Sequence, residues 1–346
     1  MEKGPGTTKG MREGREGAVQ APVSRQRLLA LLKQRQGEWI SGQFLAGQTG
    51  MTRAAVWKQI GMLKEEGYDI EALTRQGYRL QRVPDKLFAP EIREGLNTRL
   101  LGRSEIRYLQ TAVSTNQTAK EMASSGAPEG SLVVAEYQSR GRGRLRREWF
   151  SPAGSGIYAS LILRPKLPPH EAARLVLLAA VAAAEAITET TGLAVSIKWP
   201  NDILAGGKKL AGILAELAME LDAVDYMVVG VGLNVNLDAD AFPADLRPIA
   251  TSIKAQTGRA FSRVAILRRF LERFDALYLG SREAGFEPVL SRWRSLTDMV
   301  GRRVRVETFA GGRLGTVEGF DGDGFLILRD EKGGTMRLVS GDIQFV

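Results

Sequence analysis

The chain has 346 residues, enough for two or three domains that each bury a core, and its composition is that of an ordinary soluble protein. It has no Cys and a single His, His170, which excludes disulfides, Cys-ligated zinc and a thiol nucleophile and argues against a His-centred triad or metal site. The net charge of +9 is uneven: through Arg82 there are 14 Lys and Arg against 8 Asp and Glu, which points to a polyanionic partner for the N-terminal part.

Residues 1–22 are Gly-rich and charged without an apolar core, so a disordered tail is expected there, not a secretory signal, in a reducing, cytoplasmic setting. Ser24 is expected to cap a first helix on which Leu28, Leu31 and Leu32 recur at helical spacing. Ser41 precedes a short segment with Phe44 and Leu45, Gly50 makes a turn, and Thr52 caps a third helix with Val56, Ile60 and Leu63 on its inner face. Its outer face then carries Arg53, Ala54, Trp57, Lys58 and Lys64, a set suited to phosphates and base edges in a major groove. Gly67 ends that helix, and strands at 68–73 and 78–80 flank a turn with Arg75 at its tip. A winged helix-turn-helix DNA-binding domain over 23–82 accounts for spacing, wing and charge together; the alternative is a small helical packing domain with a charged face.

Pro84 and Pro90 bracket a linker at 83–90. The next domain, 91–296, should have a helix opening at Ser114-Thr115-Asn116, a strand at 132–137, a basic stretch at 138–149 and a strand at 157–163. A long helix follows His170; its apolar run, 175–184, is well short of the ~18 residues that span a bilayer. Strands at 195–199, 209–217 and 226–236, a hairpin turn at Gly206-Gly207 and a helix near 265–279 complete a mixed α+β sheet with helices on one side. From 297 onward, five short apolar runs separated by Gly and Asp turns predict a small β-barrel.

The stretch 138–149 carries five Arg (140, 142, 144, 146 and 147) against Glu148, with Gly141 and Gly143 between them. Such fixed charge repels itself unless an anion neutralises it, and the glycines let backbone approach that anion. Taken alone it reads more readily as a solvated basic loop or an RNA-binding Arg-Gly segment than as a catalytic loop. A Gly-x-x-x-x-Gly-Lys-Ser/Thr loop is absent, and Gly230-Val231-Gly232 lacks the third Gly and the helix of a dinucleotide fingerprint. Lys198-Trp199-Pro200-Asn201-Asp202 gathers a cation, an aromatic, an amide and a carboxylate at a strand end, although an ordinary turn looks the same. Lys209 leads a run of small and apolar residues through Gly212, and Asn234 follows Gly232 at a strand end, where an amide can hold a ligand.

Taken in order, Ser114-Thr115-Asn116, residues 138–149, Lys198 to Asp202 and Lys209-Leu210-Ala211-Gly212-Ile213-Leu214 resemble the biotin protein ligases. With the winged helix in front, the chain resembles the bifunctional form that is also the biotin operon repressor, over about residues 24–346. The resemblance implies an α+β protein: a winged helix-turn-helix, a central mixed-sheet α/β catalytic domain of the biotin/lipoate ligase type, and an SH3-like β-barrel at 297–346. It implies a ligase that joins biotin to ATP, with Mg2+, as biotinoyl-5′-AMP, and passes biotin to a lysine of a biotin carboxyl carrier protein of acetyl-CoA carboxylase or a related carboxylase. As a repressor it would bind operator DNA of biotin genes as an adenylate-bound homodimer, with no membrane partner.

By position, the resemblance assigns Ser114, Thr115, Asn116 and Gln138 to biotin, with Arg142, Gly143 and Arg144 on a loop closing over biotin and the adenylate. Lys209 would meet the biotin carboxylate and then the acyl phosphate, with Arg142 and Arg144 as its catalytic companions, and Gly212 would let the ligand pass close to its strand. Lys198, Asn201, Asn234 and Trp149 would lie on the nucleotide side, and no metal is assigned to direct protein ligands. The chain departs from the family pattern at Val113, where Asp is usual, at Arg140, where a small residue is usual, and at Arg146, where Gly is common. A repressor that senses an anionic metabolite without catalysis and a lipoate ligase are the rival readings.

Overall fold

Side-chain caps and glycine stops set the first three helices, but not all where the sequence suggests. Helix α1 (Gln20–Gln34) begins before Ser24, which therefore lies inside the helix and caps nothing. Helix α2 (Gly42–Thr49) is capped by the Ser41 hydroxyl, which accepts the Phe44 N–H at 3.1 Å, and stops at Gly50 with φ of 70°. Thr52 caps α3 (Arg53–Glu65) in the same way on the Ala55 N–H; each cap contributes about 1 kcal/mol. Strands β1 (Asp69–Leu73) and β2 (Gly77–Arg82) pair antiparallel, with Arg75 at the tip in the left-handed region, φ 69°. Glycine is required at 77, because a Cβ there would stand 2.1 Å from the Ile40 carbonyl oxygen.

The computed structural model describes residues 20–172, 174–220, 223–308 and 311–346. The expected tail, up to residue 19, lies outside the described residues, as do the side chains of Arg146 and His170. The chain divides into two units between Pro84 and Asp85.

The second unit opens with α4 (Ala89–Arg93), β3 (Ile106–Leu109), α5 (Thr115–Ser124) and β4 (Leu132–Ala135). The short strands β5 (Gly141–Arg142) and β6 (Glu148–Trp149) form a ribbon of their own, followed by β7 (Gly156–Leu163), α6 (Pro169–Ala172) and α7 (Arg174–Thr191). Then come β8 (Ser196–Lys198), β9 (Asp202–Ala205), β10 (Lys208–Glu220), β11 (Ala223–Asn234), α8 (Ile253–Thr257), α9 (Arg263–Ala284) and α10 (Glu287–Ser295).

Seven strands form one sheet in the order β3-β4-β7-β11-β10-β9-β8, with β3 and β4 parallel and the other neighbours antiparallel. Leu132, Val134, Leu161 and Val229 face the main core with α7 and α9. Their neighbours Val133, Ile162 and Val228 pack on Ala119, Met122 and Ala123 of α5. Side chains alternate across a strand, so α5 covers the opposite face, and the expectation of helices on one side is corrected. The central strands are buried on both faces, which is why they read as continuous apolar runs.

At the start of α9, Arg263 is 1% exposed. Its guanidinium meets Glu136 Oε2 at 2.8 Å, Asp85 Oδ2 at 3.1 Å, the Gly156 carbonyl at 3.1 Å and the Asp85 carbonyl. Glu136 Oε1 also accepts the Leu87 N–H at 3.1 Å. Chain read from sequence as linker is therefore bound into the second unit from Asp85 onward.

The last five strands, β12 (Arg303–Thr308), β13 (Gly311–Phe320), β14 (Leu326–Arg329), β15 (Thr335–Leu338) and β16 (Asp342–Phe345), form an antiparallel sheet in the order β15-β14-β13-β12-β16. Val304, Val306, Leu326 and Ile343 continue the core of the seven-stranded sheet. Among the described residues, no helix is long and apolar enough to cross a membrane.

Candidate active site

The site starts from an alternation. On β11, Val229, Val231 and Leu233 point into the core, so Gly230, Gly232 and Asn234 lie on the other face. Gly212 of β10 is the direct partner of Gly232. The paired glycines leave a strip of bare backbone, and the Trp149 indole lies on it. A Cβ at Gly232 would come 2.5 Å from Trp149 Nε1, and one at Gly212 would come 3.2 Å from both the indole and Lys209 Cε. A Cβ at Gly230 would stand 2.0 Å from Asn116 Oδ1, so this glycine makes room for α5. A cavity of about 560 Å³ opens over the strip.

One end of the cavity is neutral and polar. Gln138 Oε1 accepts the Thr115 N–H at 2.9 Å and the Thr115 hydroxyl at 3.1 Å, while its amide donates to Ser151 Oγ at 2.9 Å. Ser160 Oγ is within hydrogen-bond distance of Thr115 Oγ1 (2.8 Å) and Asn116 Oδ1 (2.6 Å). Ser114, Thr115 and Asn116 are all buried at the opening of α5, and the Ser114 side chain makes no cap hydrogen bond. Asn116 donates to the Leu214 carbonyl and to Glu216, so its amide positions the helix more than it faces the cavity.

The other end is cationic. Lys209 Nζ stands 2.7 Å from Asp202 Oδ1 and 5.5 Å from the Trp149 ring centroid. Lys198 Nζ lies 5.9 Å from the Phe345 ring. Burial pushes the Lys198 ammonium below the ordinary lysine range; Asp202 and Asp342 oppose this, and Lys209 and Arg147 reinforce it. Burial also pulls Arg144 down from its usual value, again opposed by Asp202 and Asp342. Arg144 Nη1 donates to Asn201 Oδ1 at 3.0 Å and to the Gly341 carbonyl at 3.2 Å, and Asn201 donates to the Ile213 carbonyl at 2.7 Å. Asn234 donates to the Thr251 carbonyl at 3.0 Å, which ties down the segment whose Leu246, Pro248 and Ile249 line the cavity.

The Arg-Gly stretch is the flap between these ends. Gly143, Arg144, Arg147 and Trp149 line the cavity, and Arg147 reaches Asp342 at 2.6 Å, so the last sheet supplies a wall. Arg142 is on the rim, half-exposed, 3.9 Å from Glu216. Leu145 takes φ of 53°, a left-handed strain of about 1–2 kcal/mol in a non-glycine residue. Val113 sits where the family pattern has Asp, and main-chain bonds support the turn instead: Ser139 N–H to the Ala112 carbonyl, and Arg140 N–H to the Val113 carbonyl. The Arg140 side chain is exposed.

Every cavity residue expected from the sequence thus lies on one cavity. Gly230, Gly232 and Asp342 also line it, as does Asp202 from the Lys198 motif, while Ser151, Ser160 and Glu216 stand behind it, bonded to Gln138, Thr115 and Asn116. In the first unit, Arg53, Ala54, Trp57, Lys58 and Lys64 lie on the exposed face of α3, with Trp57 71% exposed, and Arg75 is exposed on the wing.

Residues 108–234 match the model of the biotin/lipoate A/B protein ligase family, 24–79 a helix-turn-helix domain and 300–346 the biotin protein ligase C-terminal domain. The chain is 42% identical over 320 residues to the bifunctional ligase/repressor BirA of Bacillus subtilis, covering 92% of this chain and 98% of that protein. It is 30% identical over 312 residues to the BirA of Escherichia coli, covering 88% and 92%. Among solved structures, biotin protein ligase from Aquifex aeolicus in complex with biotin and ATP aligns with a TM-score of 0.61 and 28% identity, covering 70% of this chain and 98% of that one.

Proposed function

The chain belongs to the family of bifunctional biotin ligase/repressors, and from that premise we propose that its cavity is where biotin and ATP become biotinoyl-5′-AMP. The observation that carries this reading is the glycine-floored slot with a neutral amide and hydroxyl end and a lysine and arginine end. The ureido ring of biotin suits Thr115 and Gln138, whose donors and acceptors pair with an uncharged group at no cost in buried charge. The fused rings lie on the glycine strip against Trp149. That leaves the biotin carboxylate at Lys209 and the phosphates toward Lys198, Arg144 and Asn201.

The reaction needs two anions brought together and negative charge stabilised on phosphoryl oxygens. Lys209 neutralises the attacking carboxylate, and Arg144 and Lys198 hold the phosphates in line. The carboxylate oxygen bonds to the α-phosphorus as the bond to pyrophosphate breaks. In the second step a carrier lysine amine attacks the acyl carbon and AMP leaves. Mg2+ would arrive on the ATP phosphates, as that ion commonly does. Among the described residues, no group of three or more His, Asp or Glu is placed to hold a metal.

The first unit is proposed to bind operator DNA of biotin genes through α3 and the wing, as an adenylate-dependent homodimer in the cytoplasm, with a biotin carboxyl carrier domain as the protein substrate. Biotin-dependent exchange of labelled pyrophosphate into ATP tests the ligase reading, and a protein that only senses a metabolite shows none. Lipoate in place of biotin tests the related specificity. Unchanged sedimentation and operator affinity on adding biotinoyl-AMP would refute the corepressor role.

A further inference from the structure

Glu216 lies outside every motif on which the family resemblance rests, yet it faces three donors. It follows Gly212 and Leu214 on the cavity side of β10. Its carboxylate takes the Asn116 amide at 3.0 Å, Lys120 Nζ at 3.0 Å and, more loosely, Arg142 Nη1 at 3.9 Å. Burial works against its charge, but the bonds from Asn116 and Lys120, with the Lys120 and Arg142 charges, hold the carboxyl below its usual range. The Asn116 and Lys120 contacts join β10 to α5, and the Arg142 contact joins β10 to the flap. Arg142 has the longest of the three contacts and its side chain is 48% exposed.

We propose that Glu216 is a positioning residue that holds the flap through Arg142 in the ligand-free protein and gives that arginine up to the anionic end of the ligand. Glu216 and the ligand's carboxylate or phosphoryl group then compete for one guanidinium. This rests on the ligase reading above. Half-exposed ion pairs of this kind contribute roughly 0.2–1 kcal/mol, so the competition changes affinity by roughly 1.4- to fivefold.

The test is calorimetric titration of the full chain with biotin and with biotinol, its neutral alcohol analogue. Glu216→Gln keeps an acceptor for Asn116 and removes the charge. Biotin should then bind roughly 1.4- to fivefold tighter, with biotinol unchanged. In an Arg142→Gln background the same substitution should leave the biotin-to-biotinol ratio as it was. Equal changes for both ligands would assign Glu216 to support of Asn116 alone, and an undiminished biotin effect without Arg142 would assign it to general potential; either overturns the proposal. If the unmodified chain binds neither ligand, the ligase reading itself falls, and this inference with it.

Discussion

Gly212 and Gly232 face one another across β10 and β11, and the Trp149 indole lies against the bare backbone they leave. A methyl group at Gly232 would stand 2.5 Å from Trp149 Nε1, so Gly232→Ala must displace the ring. Overpacking of this kind costs about 1–3 kcal/mol, equivalent to about five- to 150-fold in affinity if it falls on the ligand. Calorimetric titration with biotin measures it, beside a thermal melt showing that the fold persists. An unaltered biotin Kd would remove the glycine strip from the binding surface.

Lys198 is held below the ordinary lysine pKa by burial, so its charge is less favourable in the folded chain than in the unfolded one. The sign follows. Charged Lys198 costs stability at pH below its folded pKa, and the cost fades as pH rises through that value. Lys198→Met should therefore raise the thermal midpoint of the ligand-free protein at pH 7, by a margin that narrows in alkaline buffer. The same substitution should weaken ATP by about ten- to hundredfold, the scale of one charge-assisted hydrogen bond. A lower midpoint together with unchanged ATP binding would contradict both halves.

Arg263 is almost fully buried against Glu136 and Asp85. Arg263→Met leaves two carboxylates without their partner and should cost about 3–5 kcal/mol in urea unfolding. Glu136 lies two residues before Gln138, so a raised KM for biotin is expected as well. A loss below 1 kcal/mol would show that the network relaxes without it.

Lys209→Ala removes the cation nearest the proposed carboxylate position. Biotin-dependent pyrophosphate exchange should slow about 100-fold, the usual scale for one transition-state donor, while carrier binding stays the same. Full-speed exchange would strike Lys209 from the reaction.

On the DNA side, Arg75→Ala should lower the slope of log affinity against log salt by about 1, as for one phosphate contact. Trp57→Ala should weaken operator binding more than binding to random DNA, measured by fluorescence anisotropy. Equal losses on both DNAs would place Trp57 off the base edges.

Local signals were easy to read and distant ones were not. Ser41, Thr52 and Gly50 act within a few residues of themselves, so two caps and a stop were visible in the string. Ser24 has the same local signature as a cap but lies within the helix. The side taken by α5 was hidden because its contact face is Ala119, Met122 and Ala123, too slight a stripe to name its partner strand. In the site, Lys198, Lys209, Arg144 and Gln138 stood out through their motifs. Gly232 is legible beside Asn234 as part of a strand-end ligand site, and the i, i+2 spacing on a strand puts Gly230 on the same face. Ser151, Ser160 and Asp342 had no local signal, because contacts made after folding define them.

The walls of the cavity run from Ser114 to Phe345, almost the whole length of the second unit. A ribosome must therefore make Gly341 and Asp342 before Arg144 and Arg147 have their partners on the last sheet. Domains fold as units during synthesis, so the winged helix can form early while the cavity stays incomplete. Any nascent chain stalled short of residue 341 would carry a DNA-binding head with an unfinished flap. The winged helix is thus synthesised long before the cavity is complete, and any DNA binding that depends on the adenylate must wait for the last sheet.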